Sequence, residues 1–450
     1  MFTAFKERDL IIHGNPMRGL VSLAGPAVAS SLFMVIFEII DMYWVGRLGE
    51  KPVAALSAAS FLVWMIRALS QTVGVGALAL ISRRTGENDT AGVQKTILGA
   101  VSAACLFSFF ILSIFIPFSS RLFCFLNLEA PVAHMASVYT LVFLSGLPFV
   151  CLMVTGEHLI RGLGNTRLPM MITGFSLLLN AALDPLFIFH FGLGLAGAAV
   201  ATVIAQITGC ILMLSALTVL FPPLKNARLP ADRIWFKHSF LRMTRIGIPV
   251  SFGGAAFSAI YLVLTGIISL FGNAPLAALG IGHRLEAFPF FVTTGLSQAT
   301  AAMVGQNLGA NLPHRARRSV QLSLSSGVIL LLAVSILFFF MPGLLFRFFI
   351  DSPDVIAHGS RYIRIIAVFE IFMALEVILG GAFSGAGETL SPFLIIFLFT
   401  FLRIPLACIF GVVLDLGVDA VWWSISGTTF LKGTALFILF RRGQWLRKKI

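Results

Sequence analysis

The chain has 450 residues, 58% of them hydrophobic and 11% charged, with a formal net charge of +13. A soluble protein carries about 25% charged residues because its surface faces water. Here, with a mean hydropathy of +0.96, most of the surface faces lipid, and the short polar stretches leave no room for a water-soluble catalytic domain.

Apolar runs long enough to cross a bilayer, about 20 residues, recur at roughly 20–45, 52–80, 95–118, 133–155, 168–190, 194–221, 247–271, 275–304, 319–342, 361–383, 391–412 and 416–440. They predict an all-α integral membrane protein with twelve transmembrane spans. Lys6, Arg8 and Arg18 precede the first run as they would in a signal peptide. That run is too long for a signal core and no small-residue cleavage site follows, so it is expected to be retained as span 1. Pro26 within it removes a backbone hydrogen bond and allows a kink. Glu38 and Asp41 lie near its outer end, and Arg67 sits in span 2. Two readings stay open for Asp41: a proton or cation site, or a carboxylate satisfied at the water interface. Arg67 reads equally as a substrate or gating group and as the partner of Glu38.

Span 5 ends in Leu179-Asn180-Ala-Ala-Leu-Asp184-Pro185. Asn180 and Asp184 are four apart, hence on one helical face, and Pro185 loosens the helix directly after them. On span 6, Ala198, Thr202 and Gln206 form a second such face. Amide, carboxylate and hydroxyl oxygens suit a hard cation such as Na⁺. The alternative is an Asn/Thr helix contact beside a protonated Asp. Residues 222–246, with Pro222, Pro223 and Pro230, read as a linker that is non-helical in part. Farther on, Arg284 and Glu286 fall in span 8, Glu370 and Glu376 in span 10, Arg403 in span 11 and Lys432 in span 12.

The two halves repeat at a constant offset of 223 residues. Pro26 matches Pro249, and Gly49-Glu-Lys-Pro52-Val-Ala-Ala-Leu56 matches Gly272-Asn-Ala-Pro275-Leu-Ala-Ala-Leu279. Gly86 and Asn88 match Gly309 and Asn311; Gly162 to Pro169 matches Gly385 to Pro392; Leu193-Gly194 matches Leu416-Gly417. Each repeat holds an even number of spans, so the copies enter the membrane in the same sense, related by a pseudo-twofold axis along its normal. Parallel repeats of this kind belong to transporters that hold substrate between rocking halves. The expected division is a first bundle over 1–221, a linker over 222–246 and a second bundle with a basic tail over 247–450.

Charge placement adds topology. Arg83, Arg84, Lys95, Arg161, Arg167, the cluster from Lys225 to Arg245, Arg315, Arg317, Arg318 and the tail from Arg441 to Lys449 all fall in alternate loops counted from the N-terminus. That is the positive-inside signature, which places both termini in the cytoplasm of a cell-membrane protein. The basic excess is topological and predicts no nucleic-acid partner.

Charge within the spans is costly, at least about 2.5–3.5 kcal/mol per group on insertion scales. In the second half Glu286, Glu370 and Glu376 face Arg284, Arg403 and Lys432, numbers that permit pairing. Glu370 and Glu376 are therefore either a second cation site or ion-pair partners. In the first half Glu38, Asp41 and Asp184 face Arg67 alone, an excess of carboxylate that must bind a proton or recruit a cation.

Other signals carry less. Cys105, Cys124, Cys151, Cys210 and Cys408 show no CxxC spacing and read as small packing residues. Gly192-Leu-Gly194-Leu-Ala-Gly197 spells GxGxxG in a short turn entering a membrane helix, not after a soluble strand. No GxxxxGK[ST], HExxH or GxSxG occurs, so neither ATP hydrolysis nor enzyme chemistry is indicated, and no cofactor is implied.

The segment Phe37-Glu-Ile-Ile-Asp41-Met-Tyr-Trp-Val-Gly46-Arg-Leu-Gly49 resembles the multidrug and toxic compound extrusion (MATE) family. So do Gly162-Leu-Gly164-Asn165-Thr166-Arg-Leu-Pro169 and the Asn180 to Pro185 pair, and the resemblance covers essentially the whole chain. It implies a V-shaped pair of bundles, spans 1–6 and 7–12, acting as a monomer that exports varied, often cationic and amphipathic drugs in exchange for H⁺ or Na⁺. Within the family the chain is similar to the DinF-like branch, whose first bundle carries the coupling site. Motif match then assigns Asp41, Asn180, Asp184 and Thr202, with the Ala198 carbonyl as a further ligand, and a hinge at Pro26. Other branches place an acid in span 7; Pro249-Val-Ser-Phe-Gly-Gly-Ala-Ala-Phe257 has none. A lipid-linked oligosaccharide flippase would carry fourteen spans and a more cationic cavity, and an ion channel would repeat its acids in register. Asp41 aligns with Leu264 and Asp184 with Ala407.

Overall fold

A computed structural model describes residues 3–125, 129–226 and 233–448. A short helix, Thr3–Ile12, leads into spans 1 to 3, which are Pro16–Gly46, Glu50–Glu87 and Thr90–Phe125. Span 4 is the pair Ala130–Ser145 and Leu147–Gly162, and spans 5 and 6 are Arg167–His190 and Leu195–Leu220. Spans 7 to 10 are Arg233–Ser269, Asn273–Gly309, Pro313–Phe340 and Pro353–Ala386; spans 11 and 12 are Leu390–Val413 and Val418–Arg442. Among the described residues nine helices are individually long and apolar enough to cross a membrane, and the bent pair makes ten. Spans 8 and 12 complete the twelve: they are 37 and 25 residues long, ample at about 1.5 Å per residue, but they carry Arg284, Glu286 and Lys432.

Several helices run beyond the apolar stretches that announce them. Span 2 continues to Glu87 and span 8 to Gly309, and span 7 begins at Arg233, inside the stretch read as linker. Hydropathy marks only the lipid-facing part of a helix; its charged end turns project into water. Span 4 bends by 55° where Pro148 lacks an N–H and its ring clashes with the carbonyl of Leu144. Span 1, by contrast, runs unbroken through Pro26. Pro185 precedes a π-helical segment, Leu186–His190, and Pro405 precedes its counterpart, Ala407–Val413.

The repeat is written into the backbone. Gly49 and Gly272 share φ values of 106° and 105°, and Asn88 and Asn311 share 60° and 57°. The first pair needs glycine because a Cβ disfavours that conformation. The second suits asparagine, which tolerates the left-handed region at a helix C-terminus.

The two bundles exchange helix ends. The core of the second bundle includes Ile11, Leu20, Leu23 and Ala24 from the N-terminal helix and the first half of span 1. Met243 of span 7 is buried in the core of the first. Small residues permit these crossings: a Cβ built on Gly247 of span 7 lies 1.7 Å from the Thr72 carbonyl oxygen of span 2. On the side that carries both termini, here the terminal face, Gln306 of span 8 is wholly buried and donates to the Gly162 carbonyl at 2.9 Å.

Both chain ends strap this face. Arg8 donates to the carbonyls of Thr85 and Gly86 at 2.9 and 3.1 Å, while Arg315 reaches back to those of Ile11 and Gly14 at 2.9 and 2.6 Å. At the other end Arg83 donates to the Lys448 carbonyl at 2.6 Å, and the Lys448 Nζ lies 2.5 Å from Glu388. Burial pushes the Glu388 carboxyl up, but hydrogen bonds from Lys448 and Ser391 and the Lys448 charge outweigh it and hold the group below the usual carboxylate range.

Candidate functional site

Asp41 lies just over a turn before the end of span 1 and is buried there. Asn180 and Asp184, one turn apart on span 5, are completely buried, and Thr202 and Ala198 of span 6 face them. Spans 5 and 6 are locked together by the Ser176 hydroxyl, which donates to the Ala205 carbonyl at 2.5 Å. The Asn180 amide donates to Asp184 Oδ1 at 3.2 Å and to Thr202 Oγ1 at 3.4 Å; Thr202 in turn donates to the Ala198 carbonyl at 3.0 Å. The Asp41 and Asp184 carboxyls are within hydrogen-bonding reach of each other. The structure thus brings Asp41, Asn180, Asp184, Thr202 and Ala198 into one cluster drawn from three spans.

Three oxygens in this cluster are buried without a partner: Asp41 Oδ1, Asn180 Oδ1 and Asp184 Oδ2. Two carboxylates in contact are acceptors only, so a shared proton or a monovalent cation is what satisfies them. Hard oxygen donors of this kind fit either one. Among the described residues no group of three or more His, Cys, Asp or Glu side chains is arranged to hold a metal ion, so an Na⁺ would draw on the Asn180 amide and Thr202 hydroxyl oxygens beside the two carboxylates.

The remaining residues of interest distribute around this centre. Glu38 is exposed and lies beside Trp64 and Arg67. Among the described residues no salt bridge within 4.0 Å joins Glu38 to Arg67. Instead the Arg67 guanidinium rests over the rings of Phe37 and Phe143 at 5.7 and 5.8 Å. Gln206, one turn beyond Thr202, is half-buried and no described hydrogen bond joins it to the cluster. Tyr139 of span 4 went unflagged in the sequence reading; it is buried next to Asp41, Asp184 and Arg67. The signal was present, since the chain has only 4 tyrosines and a phenol inside a span requires a polar neighbour.

In the second bundle, Tyr362 donates to Glu286 at 2.6 Å and Lys432 pairs with Glu376 at 2.7 Å. Arg403 donates to three neutral hydroxyls, those of Tyr261, Thr428 and Thr429, at 2.8 to 2.9 Å. Arg284 is exposed and joins none of these groups. One of the three pairings that the residue numbers permitted therefore forms in contact, between Lys432 and Glu376. Glu370 is 2% exposed, with an unpartnered Oε1. Of the cysteines, Cys105, Cys151, Cys210 and Cys408 are free thiols; the side chain of Cys124 lies outside the described residues.

Comparison with known proteins bears on the family and the fold. The model of the MatE family matches residues 26–186 and 249–409, two equal segments at the offset of the internal repeat. A probable multidrug resistance protein NorM from Thermotoga maritima is 26% identical over 438 residues, covering 96% of this chain and 93% of its own. An FAD transporter from Shewanella oneidensis is 24% identical over 444 residues, covering 97% of each. The fold superposes on the outward-facing conformation of a multidrug resistance MATE family transporter with a TM-score of 0.89 and 22% identity, covering 99% of both chains.

Proposed function

The chain belongs to the MatE family, and on that footing we propose that it is a secondary active multidrug exporter. It antiports amphipathic, often cationic compounds against H⁺ or Na⁺ by alternating access between its two bundles. The observation that carries this reading is the buried cluster in which Asp41 and Asp184 meet with three oxygens that no protein group satisfies. Relatives named for multidrug resistance support the substrate class.

The terminal face lies in the cytoplasm on this reading, as its arginine and lysine content indicates. With that face sealed by Gln306 and the two straps, the cluster on spans 1, 5 and 6 is reached from outside. Asp41 and Asp184 take up H⁺ or Na⁺ there. Once neutralised, the pair no longer attracts a cationic drug, and span 1 relaxes about Pro26. Release of the cation to the cytoplasm restores the charge. One elementary charge crossing 100 mV supplies about 2.3 kcal/mol and one pH unit about 1.4. Together they sustain roughly a 500-fold gradient of a neutral drug per cation, with no need for a nucleotide. The protein acts as a monomer and catalyses no covalent chemistry.

The test is dye efflux from proteoliposomes under separately imposed pH and Na⁺ gradients. Wild type exports under at least one gradient, and Asp41→Asn, inserted to the same level, exports under neither. Undiminished efflux by Asp41→Asn rejects the assignment.

A further inference from the structure

The terminal face carries a cavity of about 90 Å³ where spans 2, 3 and 7 meet. Its floor is apolar, made by Leu80 and Met243, both buried. Its walls carry Arg84 from span 2, Lys95 from span 3, and His238 and Arg242 from span 7. One turn deeper, spans 2 and 7 touch backbone to backbone: a Cβ built on Gly76 lies 2.1 Å from the Met243 carbonyl oxygen. To one side, Gln94 of span 3 donates to the Pro223 carbonyl at 2.9 Å, which pins the chain leaving span 6. The cavity is thus framed by packed elements of both bundles.

Its cations are short of acceptors. Among the described residues the one salt bridge in the cavity wall joins Arg84 to Asp89 at 3.9 Å, between partly exposed groups; Lys95, His238 and Arg242 have none. A contact of that kind contributes little. Asp89 is also committed to the start of span 3, where its Oδ1 accepts from the Gly92 N–H at 2.8 Å. Glu87 faces Arg83 instead. A positive-inside bias puts basic residues on this face but does not gather them round one cavity. The internal repeat supplies the contrast: Arg84, Lys95, His238 and Arg242 map onto Asn307, Arg318, Asn15 and Gly19, which include a single cation. On that side the Arg315 guanidinium is satisfied by the carbonyls of Ile11 and Gly14. Among the described residues no such acceptor meets Lys95 or Arg242.

We propose that this cavity binds the phosphate of an anionic membrane phospholipid. Converging guanidinium and ammonium groups recognise phosphate oxygens through charge-assisted hydrogen bonds, and basic pockets between transmembrane helices near a membrane face hold such headgroups. Inorganic phosphate offers the same oxygens. The lipid is favoured because Leu241 and Ile248, exposed and two turns apart on one face of span 7, begin beside Arg242 and run toward the bilayer core. They give acyl chains a track that a free anion does not use. A bound headgroup touches both bundles at once, and the site stands whichever compound or coupling ion the protein carries.

The full chain, purified in a neutral detergent, is titrated with phosphatidylglycerol, and bound lipid is counted by native mass spectrometry. Wild type should show saturable binding. Each Lys or Arg near an anionic lipid is worth about fivefold in affinity, so Arg84→Gln with Arg242→Gln should weaken it roughly 25-fold. Arg317→Gln with Arg318→Gln removes the same charge from exposed positions on span 9 and should leave the affinity unchanged. Phosphatidylcholine, whose phosphate is masked by its own cation, should bind more weakly, and excess inorganic phosphate should not displace phosphatidylglycerol. Equal weakening by the two double variants would reduce the site to general surface charge, and displacement by inorganic phosphate would assign it to a free anion. Either result overturns the proposal, as does equal affinity for phosphatidylcholine or the absence of saturable binding. Should the Arg84 and Arg242 double variant fail to insert, Arg242→Gln alone decides, with an expected loss of about fivefold.

Discussion

Gly247→Ala probes the closure of the terminal face at its tightest point. An alanine Cβ at this position lies 1.7 Å from the Thr72 oxygen and 2.6 Å from its carbonyl carbon. A carbon and a carbonyl oxygen in contact prefer about 3.3–3.6 Å, so spans 2 and 7 must part by about 1.5 Å. Neither partner is a side chain that can swing aside. Overpacking of this kind costs about 1–3 kcal/mol. The gain in helix propensity from Gly to Ala, about 0.8–1 kcal/mol, is the same in every conformation and cancels. Because the contact joins helices of different bundles, the cost falls only on the state in which the terminal face is closed. A penalty of about 2 kcal/mol lowers the ratio of closed to open molecules roughly 30-fold. Spin labels near the terminal ends of spans 2 and 8, in a background without native cysteines, report that ratio as a distance distribution. The control is Gly266→Ala in the far half of the same span, where a Cβ meets nothing within 4 Å and the distribution should match wild type. A closed population unchanged by Gly247→Ala refutes the claim that backbone contact limits closure.

Two further outcomes are expected. Glu388 is held below the usual carboxylate range by Lys448 and Ser391, so its contribution is fully present above the ordinary carboxylate value and disappears as pH falls through the lowered one. The protection of tail amides 444–448, taken relative to the intrinsic exchange rate at each pH, should therefore fall in acid in the wild type and be low already at neutral pH in Glu388→Gln; identical protection profiles would exclude the strap. Lys432 and Glu376 form a buried pair at 2.7 Å, so Lys432→Met alone should cost about 3–5 kcal/mol, whereas Lys432→Met with Glu376→Leu should recover most of it. Thermal unfolding of the three proteins in one detergent measures this, and additive losses would show that the two side chains do not interact.

Much of the architecture was legible because it rests on one-dimensional signals. Apolar length gave the spans, and the paired turn residues, Gly49 with Gly272 and Asn88 with Asn311, gave the repeat that the backbone reproduces. The Asn180 and Asp184 face followed from helical spacing alone. What escaped depends on which way a side chain points across helices. Arg284 counted as a partner for the second-bundle acids until its exposed position removed it. Tyr139 belongs to the neighbourhood of Asp41 only because the bent span 4 brings it there. The bend itself was foreshadowed by Gly146 and Pro148, yet a hydropathy window averages over both. Charged helix ends, such as the start of span 7, are invisible to such a window for the same reason.

The exchange of helix ends has a consequence for how the chain is made. Leu20, Leu23 and Ala24 emerge from the ribosome more than 220 residues ahead of the spans whose core they enter. Lipid tails are as apolar as leucine, so these side chains lose little by waiting in the bilayer, but the first half of span 1 has no settled neighbour until span 8 is inserted. Met243 makes the reciprocal demand on the first bundle. Each half is therefore a scaffold on which the other finishes assembling. Two fragments divided between spans 6 and 7 should each persist poorly alone and mature only when synthesised together.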